Sequence, residues 1–310
     1  MSTRPTAPAP EPLSDAQIVE AVHQRQQQRP EGLRKGVLVL LGFVLFAVVG
    51  LIPFSLDYFC LLAVAVIVHD LGHLLAMKRS GCADSGLFVL RFFNRWVNDM
   101  PSAKDPAVCL RLALAGPLVG TLGIYLAMCL APWIGYAGAL WFVWASCLFN
   151  LYNVLPVKPL DGGRVLQYTL VGRHPLLDLS GKYLVVAALL YASVASGYWF
   201  IALIGFFLFL SSVFTQPVVN ISHRLRGEPG FGEGELTAEK VARIRKEIRT
   251  LSPALEKGRN AGDQAGTIIK VWEGAKQRYA PAGLSAAALA IYLLLIGLLG
   301  HAYYRIILGG

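Results

Sequence analysis

The chain has 310 residues, of which 55% are apolar and only 15% are charged, and its formal net charge is +9 at pH 7. An average globular domain carries roughly 25% charged residues, so this composition excludes an ordinary soluble protein and favours a multi-pass membrane protein in a lipid bilayer. The basic excess is typical of the flanks of membrane helices and does not indicate a nucleic-acid partner.

The chain begins with a polar segment, residues 1–35, which is rich in Pro, Gln and Arg. Within it, Ser14 and Gln17 form a weak capping-box pattern that predicts a short helix, which Pro30 would end. We expect the segment as a whole to be a disordered cytosolic tail.

Seven runs of the sequence are apolar enough to be membrane helices, which need about 20 residues to cross the bilayer. In chain order the runs cover about 36–54, 57–77, 107–132, 137–155, 181–196, 198–214 and 284–308. The sequence therefore predicts an all-α fold, a multi-pass transmembrane bundle of about seven helices. We expect a membrane-embedded core over residues 36–215 and a C-terminal transmembrane helix within 284–310, with Gly197 separating two short helices.

A short segment after the second run, Gly86–Asn98, cannot span the membrane. It is rich in β-branched and aromatic residues, such as Val89 and Trp96. These residues favour strands, so we expect a short strand or an interfacial segment at this position.

The orientation follows from the Lys and Arg residues in the connections. The connections 78–106 and 156–182 contain five and four of them, whereas 131–137 contains none. The amino terminus is therefore predicted on the cytoplasmic side and the carboxyl terminus outside, in a multi-pass integral protein of a bacterial-type plasma membrane.

The same count places residues 216–283 in the cytosol as a helical appendage. Its apolar residues recur at helical spacing between basic residues: Val241, Ile244, Ile248 and Leu251. A helical hairpin is the default interpretation, and a helix that binds a membrane surface or a partner is the alternative.

The second apolar run contains His69, Asp70 and His73. Ionisable residues inside a membrane helix are costly, so they are candidates for function. Histidines at positions i and i+4 share one helix face, and both imidazoles can reach one metal ion. A pair of core histidines bonded to the backbone or to Asp70 is the alternative.

A second polar motif follows the fourth run, where two prolines end the helix before Asp161-Gly162-Gly163. By itself this tripeptide is an ordinary turn that exposes a carboxylate. The predicted topology places His73 and Asp161 at the same cytoplasmic depth. Two imidazoles and one carboxylate, with a fourth position left for water, form the ligand set of a catalytic zinc site.

These motifs, with Ala115-Gly116-Pro117 in the third run and residues 153–164 after the fourth, resemble the site-2 protease family of intramembrane zinc metalloproteases. The resemblance covers about residues 60–170. It implies Zn²⁺ as the cofactor, with His69, His73 and Asp161 as its ligands. It also implies that Asn153 positions the substrate or stabilises its oxyanion. The expected substrate is a membrane-protein helix, cut within or near the bilayer.

The chain departs from the family pattern at Asp70, where the family has Glu. The chemistry requires a carboxylate that accepts a proton from water and returns it to the leaving amine. Asp is one methylene shorter, a difference of about 1.5 Å in reach, and a misplacement near 1 Å can cost ~10²-fold in rate. Asp70 is therefore either a working catalytic base or the mark of a weakened or inactive homologue that binds transmembrane segments.

A third interpretation is a transporter that uses His69, Asp70, His73 and Asp161 as an ion relay. The sequence shows no internal repeat and no paired broken helices, which disfavours it. We therefore predict a zinc-dependent intramembrane endopeptidase.

Overall fold

The computed structural model describes residues 14–27, 56–81, 105–157, 160–197, 199–256 and 260–308. Over these ranges the chain forms ten α-helices and two short 3₁₀ turns, and no strand occurs in them. The helices are α1 (Asp15–Gln27), α2 (Leu56–Arg79), α3 (Pro106–Ile134), α4 (Tyr136–Asn153), α5 (Asp161–Thr169), α6 (Pro175–Ser196), α7 (Trp199–Arg226), α8 (Ala238–Leu251), α9 (Ala261–Lys276) and α10 (Ala282–Leu308). The predicted all-α class is confirmed for this part of the chain.

Five segments of the described helices are long and apolar enough to cross a membrane: Cys60–Arg79, Pro106–Trp133, Pro175–Ala195, Gly205–Arg226 and Ala282–Ile306. They support the assignment of the chain as an integral membrane protein. The predicted count of seven is not confirmed. The 18-residue α4 is not among the five. The predicted helix at 36–54 and the predicted strand segment Gly86–Asn98 lie outside the described residues.

The chain divides into two compact units. The first, here called the membrane unit, comprises the described residues within 30–213 and 278–310. In it α2, α3 and α4 pack against one another, and α10 packs against α3, α4 and α5. Its core is made of buried apolar side chains that include Leu110, Ile124, Cys147, Val165, Tyr292, Leu295 and Leu299.

The ends of these helices follow from local sequence. The carboxylate of Asp105 accepts a hydrogen bond from the Ala107 backbone N–H at 2.9 Å, and Pro106 occupies the first turn of α3. This is the usual chemistry of a helix start, because Pro has no N–H to leave unbonded. Gly197 ends α6 with φ of +75°, a left-handed conformation that glycine adopts without steric cost. The helix boundary predicted at Gly197 is confirmed.

The second unit, here called the appendage unit, comprises the described residues within 1–29 and 214–277. The predicted capping box is formed, since Gln17 N–H donates to Ser14 Oγ at 3.3 Å and Ser14 N–H donates to Gln17 Oε1 at 2.9 Å. Residues 15–27 are helical, although the segment as a whole was expected to be a disordered tail. The reason is that Ile18 and Val22 are fully buried in a core shared with α8, α9 and the end of α7.

The helix predicted from the spacing of Val241, Ile244, Ile248 and Leu251 is present as α8. Val241, Ile244 and Ile248 are buried in the core of the appendage unit, while Leu251 is 43% exposed. The apolar face of α8 is therefore used within the unit itself. Beside this core, the guanidinium of Arg245 is buried and forms ion pairs with two acidic side chains, those of Asp15 and Glu256.

Candidate metal centre

Helix α2 places both candidate histidines on one buried face. His69 is 1% exposed and His73 is 2% exposed. Because they are four residues apart, they lie on adjacent turns of the helix. Their ring centroids are 5.0 Å apart, and the rings meet edge-on. The two Nε2 atoms are 3.1 Å apart and face the same point.

The first residue of α5, Asp161, supplies a carboxylate to that point. Its Oδ2 atom is 3.2 Å from Nε2 of His69 and 3.2 Å from Nε2 of His73, and its side chain is fully buried. The carboxylate lies in the first turn of the helix, where the helix dipole stabilises a negative charge. The structure thus brings together the three side chains predicted as metal ligands, which are 88 and 92 residues apart in sequence.

The Nδ1 atom of each histidine lies within hydrogen-bond distance of an oxygen atom. The Nδ1 atom of His73 is 2.8 Å from the backbone oxygen of Leu112, which can only accept, so Nδ1 carries the proton. The Nδ1 atom of His69 is 2.9 Å from Oδ1 of Asn150, whose Nδ2 donates to the Ser146 carbonyl at 2.8 Å. Each Nε2 faces the point where the other ligand atoms meet.

The donor set fits a metal ion such as zinc. Ligand atoms about 2.0–2.2 Å from a tetrahedral zinc lie roughly 3.3–3.6 Å from one another, close to the 3.1–3.2 Å separations found here. Two nitrogen lone pairs and a carboxylate oxygen repel one another at these distances, and positive charge between them removes the repulsion. His69, His73 and Asp161 are thus a buried group that can hold a metal ion.

The space beside the ligand atoms is kept free by Gly116 on α3. A Cβ atom built on Gly116 would lie 2.3 Å from Nε2 of His73 and 2.6 Å from Nε2 of His69. Any side chain at this position would collide with the atoms that face the metal. The glycine of the Ala115-Gly116-Pro117 motif therefore allows the backbone of α3 to approach the centre.

The other two predicted site residues are also buried. Asp70 lies next to His69 on α2 and is 2% exposed. Asn153 lies in the last turn of α4, is 5% exposed, and its Nδ2 donates to the Phe149 carbonyl at 2.9 Å. The roles of Asp70 as base and of Asn153 in substrate binding stay predictions.

Asn150, whose amide contacts His69, was not among the predicted site residues. A signal was present, since Asn150 is a polar residue within an apolar helix, one turn before Asn153. The spacing from Asn150 to His69 follows no motif, because the contact joins two helices that are distant in sequence.

Helix α10 braces the segment that carries Asp161. The hydroxyl of Tyr292 donates to the Val154 carbonyl at 2.5 Å, in the turn that leads from α4 to α5. The guanidinium of Arg173, just after α5, donates to the Ala280 carbonyl at 2.6 Å and to Ser285 Oγ at 3.1 Å. These bonds join the segments before and after α5 to the start and middle of α10.

Two curated proteins are similar to part of this chain. A Mycobacterium tuberculosis protein named "Putative zinc metalloprotease Rip3" is 32% identical over 122 residues, 37% of this chain and 31% of that protein. "Zinc metalloprotease MJ0392" of Methanocaldococcus jannaschii is 29% identical over 145 residues, 43% of this chain and 42% of that protein. The chain thus matches less than half the length of each relative.

No family model matches the chain. No solved structure matches it either. The names of the two relatives agree with the metal-binding chemistry of the His69, His73 and Asp161 cluster, and they imply zinc as its metal. The predicted resemblance is therefore confirmed, and the chain is similar to zinc metalloproteases of the site-2 protease family.

Proposed function

We propose that the chain is a zinc-dependent intramembrane endopeptidase that cleaves a transmembrane or membrane-proximal segment of another membrane protein. The observation that carries the proposal is the convergence of two histidines and one aspartate on a single buried point among membrane-length helices. A buried three-ligand set leaves a fourth coordination position for water or substrate, as catalytic zinc sites require.

Each residue of the centre has a role in this proposal. His69, His73 and Asp161 hold the metal, which when bound polarises the scissile carbonyl and makes water more acidic. Asp70 accepts a proton from the attacking water and returns it to the leaving amine. Asn153 positions the substrate or stabilises its oxyanion. The buried surroundings exclude bulk water and strengthen these electrostatic interactions.

The second candidate is a weakened or inactive homologue that binds transmembrane segments without cutting them. Asp70 favours it, because its carboxylate is one methylene shorter than that of the Glu in the family pattern. Both candidate functions include the metal site, so metal binding alone does not distinguish them. They differ in whether Asp70 acts as the proton acceptor.

We also propose that the amino terminus is cytoplasmic and that the metal centre lies nearer the cytoplasmic side of a bacterial-type plasma membrane. The Lys and Arg residues concentrated in 78–106, 156–182 and 216–283 support this orientation. Trypsin should cut within 216–283 in inside-out vesicles and spare it in right-side-out vesicles. Cleavage from the outer side alone would contradict the orientation.

The metal site is tested by the zinc content of the purified full-length chain. Wild type should carry about one zinc ion per chain, and His73→Ala and Asp161→Ala should each lose it, because three protein ligands are the usual minimum. His301→Ala is the matched control, since His301 lies on α10 and is hydrogen-bonded to Tyr125. It should keep its zinc.

The activity is tested by measuring cleavage of a reconstituted substrate helix. A chelator should stop cleavage by the wild type, and added zinc should restore it. Full zinc occupancy in Asp161→Ala would remove that carboxylate from the centre. A wild type without any bound metal would contradict the proposed function.

A further inference from the structure

We infer that Asn150 is a positioning residue that fixes the orientation and the tautomer of His69, and so sets the metal affinity of the centre. The inference rests on the proposed function. Asn150 is fully buried within the apolar helix α4, where an unbonded amide would be costly. Both polar atoms of its amide are hydrogen-bonded. Nδ2 donates to the Ser146 carbonyl at 2.8 Å, and Oδ1 accepts from Nδ1 of His69 at 2.9 Å.

The bond between the helices α4 and α2 determines which nitrogen of His69 is available to a metal. The Ser146 carbonyl can only accept, so Nδ2 faces it and the acceptor Oδ1 faces His69. His69 must then carry its proton on Nδ1 and keep the lone pair on Nε2, the atom that faces Asp161. Without this acceptor, the proton can move to Nε2, which then cannot bind a metal.

The two histidines differ in how they are held. His73 donates to a backbone carbonyl, that of Leu112, which a side-chain substitution does not remove. His69 is held by a side chain, and its ring also packs edge-on against Phe149, with centroids 5.1 Å apart. Substitution of the hydrogen-bonding side chain is therefore expected to change how His69 binds the metal.

The absence of a side chain at Gly120 on α3 provides the space that this contact requires. A Cβ atom on Gly120 of α3 would lie 2.2 Å from Oδ1 and 2.6 Å from Nδ2 of Asn150. Both polar atoms of the amide thus lie where a side chain at position 120 would be. Gly120 and Asn150, from two different helices, together build the acceptor for His69.

The test is metal binding by full-length protein in detergent, read by zinc competition and by the absorption spectrum of bound Co²⁺. Asn150→Leu keeps the size of the side chain and removes the acceptor, so affinity should fall about 10–100-fold and the spectrum should change. Asn150→Asp keeps an acceptor oxygen and should restore binding. Gly120→Ala displaces the amide and should weaken binding in the same way.

Tyr152→Phe is the control for metal binding, because it removes a polar group from the same helix, α4, at a side chain that is half exposed. It should bind Co²⁺ with the affinity and spectrum of wild type. Wild-type affinity and spectrum in Asn150→Leu would overturn the inference and leave the proposed function standing. Absence of metal from the wild type would instead overturn the proposed function.

The nitrogen that binds the metal provides a readout that needs no variant to fold. Nitrogen-15 chemical shifts of zinc-loaded wild type should show His69 with its proton on Nδ1 and its metal bond through Nε2. A metal bond through Nδ1 of His69 would overturn the inference.

Discussion

At the scale of single residues, Gly116 is the position where the smallest change should have the largest effect on the metal centre. A methyl group there would lie within 2.3 Å and 2.6 Å of the two ligand nitrogens. We therefore expect Gly116→Ala to reduce zinc affinity at least about 10-fold, because the ligands must move apart to admit it. Gly297→Ala on α10 is the control, since nothing lies within 4 Å of its Cβ position.

The measurement for Gly116→Ala is zinc content after dialysis against a weak chelator, with helix content checked by circular dichroism. The control variant should retain the zinc of wild type. Full retention in Gly116→Ala as well would show that α3 does not approach the metal as closely as described.

The residues that meet at the centre were predictable in part. The i, i+4 spacing placed His69 and His73 on one face, and the predicted topology placed Asp161 at the same depth. Asn150 could not be found in this way, because its contact with His69 depends on how α4 packs against α2. The steric role of Gly116 depends likewise on the packing of α3.

At the scale of helices, the contact between Tyr292 and the turn before α5 should stabilise the membrane unit. The hydroxyl donates to a buried carbonyl, that of Val154, so its removal leaves the carbonyl without this donor. We expect Tyr292→Phe to lower the free energy of unfolding by about 1–3 kcal/mol. Tyr304→Phe is the control on the same helix, because Tyr304 is 60% exposed, and it should have little effect.

Unfolding of both tyrosine variants in a graded denaturing detergent gives the comparison. An equal midpoint for Tyr292→Phe, Tyr304→Phe and wild type would show that α10 does not brace this turn.

Helix positions were more predictable from the sequence than helix partners. The apolar runs predicted α10 as a membrane helix, but no periodicity indicates that it packs against α5, since that choice depends on complementary surfaces. For α1, the capping box predicted the helix correctly. The polar composition of the segment led us to expect disorder. The burial of Ile18 and Val22 could not be predicted, because it depends on contacts with α8 and α9 that are distant in sequence.

In the appendage unit, the ion pairs around Glu256 predict a pH dependence. Burial raises the pKa of the Glu256 carboxyl, but hydrogen bonds from Arg249 and Arg245 and the charges of both guanidinium groups lower it more, so its pKa lies below the ordinary value of 4.5. A lowered pKa in the folded state stabilises the fold above about pH 4.5. That stabilisation is lost as the pH falls through the lower, folded-state pKa.

Glu256→Gln tests this dependence. At pH 7 the variant should be less stable than wild type by about 1–3 kcal/mol, because Arg245 is buried and loses a charged partner. The difference in thermal midpoint should shrink below pH 4.5 and disappear once the wild-type carboxyl is protonated. A difference that stays constant between pH 7 and pH 3 would exclude the electrostatic origin.

At the scale of the whole molecule, composition, basic connections and membrane-length helices agree on an integral membrane protein. The enzymatic claim depends on one feature that sets this chain apart from the family pattern, the short carboxylate of Asp70 next to a metal ligand. Zinc binding alone fits both a protease and an inactive homologue. Substitution of the proposed proton acceptor, Asp70, therefore tests the proposed function most directly.

The decisive measurement is single-turnover cleavage of a reconstituted substrate helix by wild type, Asp70→Asn and Asp70→Glu at matched zinc content. We expect wild type to cleave, and Asp70→Asn to keep its zinc while its rate falls by at least about 100-fold, because a carboxamide cannot accept the proton. An inactive wild type beside an active Asp70→Glu would identify a disabled protease whose role is binding. Equal rates for wild type and Asp70→Asn would contradict the assignment of Asp70 as the base.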